Sequence, residues 1–88
     1  MVLISLSIFS LWTRNELAKF TREPIEQEII KWEQLVLVTP TYRDGYLKLA
    51  TLYWRLDEDE KAKEMLTRAK GIDPNYEETE KLKKDLGY

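Results

Sequence analysis

The clearest pattern lies in the middle of the chain. Between Arg43 and Leu56 the residues Tyr46, Leu49, Ala50 and Tyr53 fall at i, i+3, i+4 and i+7, the spacing of one buried stripe on an amphipathic helix. Asp57-Glu58-Asp59-Glu60 follows: an Asp with Glu three residues on reads as an acidic capping box, with its charges favoured by the helix dipole. It predicts a second helix, whose stripe is Ala62, Met65, Leu66 and Ala69 and whose end is marked by Gly71, a residue free to turn left-handed. Upstream, Pro24 can open a helix over 24–38 with an apolar face of Ile25, Ile29, Trp32 and Leu35, flanked by Ile30 and Val36. Before it, Leu3, Leu6, Phe9, Leu11, Trp12, Leu17 and Phe20 form a broad stripe over residues 1–20, predicting an apolar N-terminal helix that ends near Thr21. The last segment, 75–88, offers only Tyr76, Leu82 and Leu86 for burial and reads as a solvated closing helix. The pattern predicts an all-α chain of about five helices.

An internal spacing organises these helices. Pro40 and Pro74 are 34 residues apart, and Val38-Thr39-Pro40-Thr41-Tyr42 aligns with Ile72-Asp73-Pro74-Asn75-Tyr76. Thr39 and Asp73 can each cap a helix whose first turn accepts Pro, so each pentapeptide predicts a helix start. Tyr46-x2-Leu49-Ala50-x2-Tyr53, then Ala62-x3-Leu66-x2-Ala69 and Pro74, resembles the tetratricopeptide repeat signature, with Tyr for its Trp, Ala for its Gly and Leu for its Phe. The resemblance covers residues 41–74 well. Over 7–40 it is degenerate: Trp12, Trp32, Leu35 and Pro40 fit, whereas Asn15, Glu16, Lys19 and Glu28 do not. It implies a single domain of antiparallel helix-turn-helix repeats in a solenoid, with Ala50 and Ala62 letting the paired helices approach closely.

Composition narrows the chemistry. The chain has 88 residues and contains no Cys and no His, which removes thiolate and imidazole metal ligands, Cys nucleophiles and any Ser/His/Asp triad. A metal site would have to be built from carboxylates alone, and the acidic run Asp57 to Glu60 reads as capping, because adjacent carboxylates on a helix start do not converge on one centre. We therefore expect no enzyme, no cofactor and no metal. The 14 basic and 16 acidic residues give a net charge of −2. Neither half of the chain has the basic excess of a nucleic-acid binder.

Two surfaces remain as candidates for protein contact. The repeat resemblance implies a concave, partner-binding surface on the first helix of residues 41–74, at Asp44, Leu47, Thr51, Trp54 and Arg55. Leu47 and Thr51 stand where a Lys/Asn clamp for a C-terminal carboxylate would need donors, so that specialised role is not expected. The second surface is the uncharged start of the chain. No charged side chain precedes Arg14, and Val2, Leu3, Ile4, Leu6, Ile8, Phe9, Leu11 and Trp12 are all large and apolar.

The 11 residues from Val2 to Trp12 would reach ~17 Å as a helix, short of a ~30 Å hydrocarbon core. The stretch also lacks the basic start and small-residue cleavage site of a secretory signal. It reads as internal core, as an association surface, or as a membrane-seated or processed anchor, which tilts the expected setting toward a membrane-associated or extracellular one. Solenoids need polar ends. An apolar end invites a matching surface, and if an identical copy supplies it the contact propagates into rings, tubes or filaments. The expectation carried forward is a non-catalytic, self-associating module held by Val2, Leu3, Leu6, Phe9 and Trp12. The alternative is an adaptor that docks a peptide or partner protein over Leu47, Thr51, Trp54 and Arg55, with membrane contact through the N-terminus an open option.

Overall fold

The computed structural model describes the backbone of residues 14–88 and side-chain surroundings from residue 22 onward. Four helices follow one another: α1 (Arg14–Val38), α2 (Arg43–Arg55), α3 (Asp59–Ile72) and α4 (Glu77–Asp85), and no strand occurs among the described residues. The described residues are all-helical, as the patterning predicts.

The count differs at one place. The predicted break between an N-terminal helix ending near Thr21 and a helix opened by Pro24 does not occur, because α1 runs unbroken through Pro24 for 25 residues. A proline inside a helix removes one donor and crowds the carbonyl one turn earlier. Here Pro24 itself is exposed, so its missing donor leaves no buried group unpaired at that position. The antiparallel hairpin expected within residues 7–40 is thereby replaced by one long helix. Residues 1–13, and with them the apolar segment, lie outside the described residues.

The two Pro-containing pentapeptides share one backbone geometry. Tyr42 N–H donates to the Thr39 carbonyl at 3.0 Å and Tyr76 N–H to the Asp73 carbonyl at 3.3 Å, closing two β-turns with Pro at the second position. Thr39 and Asp73 are consequently turn residues and not the expected N-caps. Both following helices begin three residues after the proline, preceded by Tyr42 and Tyr76, and neither tyrosine makes a side-chain cap bond. Arg43 ties the turns together, with its guanidinium 2.8 Å from Asp73 and stacked 3.5 Å over the Tyr76 ring.

Between α2 and α3 the expected Asp57 cap is also corrected. Asp57 adopts a left-handed φ of 58°, its N–H donates to the Trp54 carbonyl at 3.0 Å, and Glu58 N–H donates to the Tyr53 carbonyl at 3.0 Å. This pair of bonds is a Schellman closure of α2, a role that usually falls to glycine, and α3 starts two residues later at Asp59. The glycine expected to end α3, Gly71, is instead inside its last turn.

A non-glycine residue held left-handed costs about 1 to 2 kcal/mol, less for Asp. The Asp57 charge lies between the C-terminus of α2, which disfavours it, and the N-terminus of α3, which favours it, so its net dipole contribution is small. Asp57→Gly is therefore expected to stabilise the fold by ~0.5 to 1 kcal/mol. Chemical denaturation checks it; a loss of stability would show that the carboxylate holds the turn.

The core sits where α1, α2 and α3 meet. Ile29, Leu49, Leu52, Tyr53, Leu56 and Ala62 form one buried cluster, against which Ile25, Trp32, Val36, Met65 and Tyr88 pack. The predicted stripes of α2 and α3 are the buried ones, with Ala50, Ala62 and Ala69 fully inaccessible and Met65 half-buried. On α1 the stripe is Ile25, Ile29, Trp32 and Val36. Leu35, expected on that face, is 41% exposed, and Val36 takes its place. The cause lies at Gly45, where a Cβ would come within 2.6 Å of the Val36 side chain; the missing side chain lets α1 and α2 close on Val36.

Candidate functional site

On α2 the buried positions occupy one broad side of the helix, and the opposite side carries Asp44, Leu47, Thr51, Trp54 and Arg55 together. The five residues singled out from the sequence therefore share one outward face. Leu47 and Thr51 are half-buried, and the Thr51 hydroxyl donates to the Leu47 carbonyl at 3.3 Å, so it is spent within the helix. Asp44 is occupied by Arg43, 3.1 Å away. Trp54 is 40% exposed and lies two turns on from Leu47, on a face shared with Asp44, Thr51 and Arg55. The face offers an aromatic anchor and an aliphatic residue, with no acid–base pair.

Opposite this face lies a groove of about 290 Å³ bordered by Glu33, Val36 and Leu37 of α1, by Tyr46, Leu49 and Tyr53 of α2, and by Met65 and Arg68 of α3. Its floor is apolar. Across it the Tyr53 hydroxyl donates to Glu33, and burial together with that carboxylate pushes the phenol far above its ordinary pKa. Tyr53 thus remains protonated through the physiological range and holds α1 to α2.

A second groove, of about 490 Å³, runs between α3 and α4. Lys63 and Lys70 stand along α3 and Lys83 on α4, over the apolar surface of Leu66 and the ring of Tyr88. Tyr88 is brought there by the Schellman closure of α4: Gly87 takes a φ of 87° and Tyr88 N–H donates to the Lys83 carbonyl at 2.9 Å. Its hydroxyl donates to Asp59 at 2.5 Å, and burial, followed by that bond, pushes the phenol up to about 12. Lys70 pairs with Glu80 across the groove at 3.0 Å, which holds the Glu80 carboxyl below its ordinary pKa.

Sequence patterning alone singled out neither groove, because the first joins residues from three helices and the second joins two helices and a chain reversal. It also missed the exposure of Leu37 (79%) and Val38 (82%) at the end of α1, where they continue an apolar run that no neighbour covers among the described residues. The proposed self-association residues Val2, Leu3, Leu6, Phe9 and Trp12 lie outside the described residues.

No family model, curated protein or solved structure matches the chain. Among the described residues no three acidic side chains converge as a metal site would require, and Asp57 to Glu60 instead line the α2–α3 turn and the start of α3. No helix among the described residues is long and apolar enough to cross a membrane.

Proposed function

We propose that this chain is a non-catalytic protein-contact module that associates with copies of itself, with Val2, Leu3, Leu6, Phe9 and Trp12 as the holding surface. The observation that carries the reading is the commitment of α1. Its apolar stripe, Ile25, Ile29, Trp32 and Val36, is taken up by α2 and the core. That stripe was the internal cover available to the apolar N-terminus, and it is spent on α2 and the core; the large apolar side chains that α1 leaves exposed among the described residues are Ile30, Leu35, Leu37 and Val38. Eight large apolar side chains between Val2 and Trp12 would each gain ~1.5 to 3 kcal/mol on leaving water, before ordering entropy is subtracted. A neighbouring copy supplies the surface they need. The arrangement of a closed α2–α3 hairpin between two equivalent turns supports a tetratricopeptide-like solenoid as the scaffold.

Deleting residues 1–12 is expected to leave the α2–α3 hairpin helical by circular dichroism while large assemblies disappear from size-exclusion chromatography. Persistence of those assemblies would assign the contact elsewhere.

A second reading, an adaptor that docks a peptide or partner protein on α2, is favoured by the exposure of Trp54 on the face it shares with Leu47. Interface anchors of this type carry ~2 kcal/mol or more. Trp54→Ala is then expected to weaken partner capture about thirtyfold with little change in melting temperature. A large stability loss with unchanged binding would make Trp54 a packing residue.

A further inference from the structure

The two grooves are related by the same 34-residue step as the two turns. Glu33, Val36, Tyr46, Leu49 and Tyr53 of the first become Thr67, Lys70, Glu80, Lys83 and Gly87 of the second. In the first, α3 closes the groove with Met65 and Arg68. Among the described residues no helix closes the second. The same step taken backwards converts the packing stripe of α3, Ala62, Met65, Leu66 and Ala69, into Glu28, Lys31, Trp32 and Leu35 of α1. That side of α1 carries exposed Glu28, Lys31 and Leu35, and the buried Trp32 indole N–H has no acceptor among the described residues.

We propose that the groove between α3 and α4 receives the Glu28–Leu35 side of α1 from a second copy of this chain, so that copies stack head to tail. The argument for this occupant is charge complementarity in the register that the 34-residue step defines. Ala50 and Ala62, fully buried where α2 meets α3, map to Lys84 and Glu28. Tyr46 and Met65, which border the same groove, map to Glu80 and Lys31. Leu49 and Leu66 map to Lys83 and Trp32, a cation beside an indole face. The positions that the step sets opposite each other thus change from apolar residues inside one chain to opposite charges and a cation–aromatic pair between chains, with Glu80 placed between Lys31 of the second copy and the Lys70 it already pairs with. Neither Glu28 nor Lys84 enters an ion pair among the described residues. A polar contact of this kind sets register and direction more than affinity. It is also heterologous, because each copy carries both faces, so it propagates. The inference rests on the reading of the chain as self-associating and adds the surface that orders the copies.

The test reverses the charges one face at a time in the full chain. Glu28→Lys alone sets two cations against each other at every junction, and Lys84→Glu alone sets two carboxylates against each other. Each is expected to raise the concentration at which assemblies form roughly tenfold in light scattering, with circular dichroism unchanged. An equimolar mixture of the two variants restores opposite charges wherever they alternate and is expected to bring that concentration back to within about twofold of wild type, as is the double variant E28K/K84E. If wild type assembles and the single reversals leave assembly unchanged, or the mixture fails to restore it, this contact is wrong while self-association stands. If wild type does not assemble at any concentration, both readings fall together.

Discussion

Leu52→Ala is expected to lower stability by ~2 to 5 kcal/mol, the range of a fully buried leucine cut back to Ala. Leu52 is almost wholly inaccessible and joins Ile29 of α1, Leu49 and Leu56 in one cluster. Truncation removes the transfer free energy of three carbon atoms and leaves a void that two helices must collapse to fill. A domain of this size has on the order of 5 to 10 kcal/mol in total, so the variant keeps only part of it. At roughly 4 to 8 °C per kcal/mol its melting point should fall by tens of degrees. Thermal unfolding followed by circular dichroism measures this directly. A melt within a few degrees of wild type would mean that α1 does not rest on Leu52, and the three-helix core described above would be wrong.

The second large effect is on association. Phe9→Asp exchanges a side chain worth ~1.5 to 3 kcal/mol on burial for a carboxylate that must be desolvated at the same place. Self-association through Val2 to Trp12 should therefore weaken by about a hundredfold or more, read as a shift of sedimenting mass toward monomer. Among the described residues the buried cluster is built from Ile29, Leu49, Leu52, Tyr53, Leu56 and Ala62. Circular dichroism and the melting point should accordingly stay close to wild type. A variant that sediments like wild type would remove Phe9 from the contact.

Much of the fold was legible where periodicity and burial coincide. Tyr46, Leu49, Ala50 and Tyr53, with Ala62, Leu66 and Ala69, could be named as buried because an amphipathic helix writes its inner face into the spacing of its residues. Helix ends were less legible, since the residues that mark them serve several local geometries. Pro40 and Pro74 open β-turns as readily as helices, and Asp57 closes α2 instead of opening α3. Pro24 is a stop signal by chemistry, yet α1 passes through it because Pro24 is exposed and its lost donor leaves no buried group unpaired there. The outward face of α2 followed from the same periodicity as its inner one. The Lys-lined groove did not, because Lys63 and Lys70 meet Lys83 only once the last helix packs on α3, and Tyr88 joins them only through the Gly87 reversal.

The central claim is that this chain works by binding copies of itself. Light scattering of the purified full-length protein, in detergent-free buffer over a wide concentration range, tests it most directly. The account predicts a mass of many subunits that grows with concentration and falls when salt screens the charged contact between copies. A single monodisperse species at monomer mass up to the highest concentration reached would contradict it.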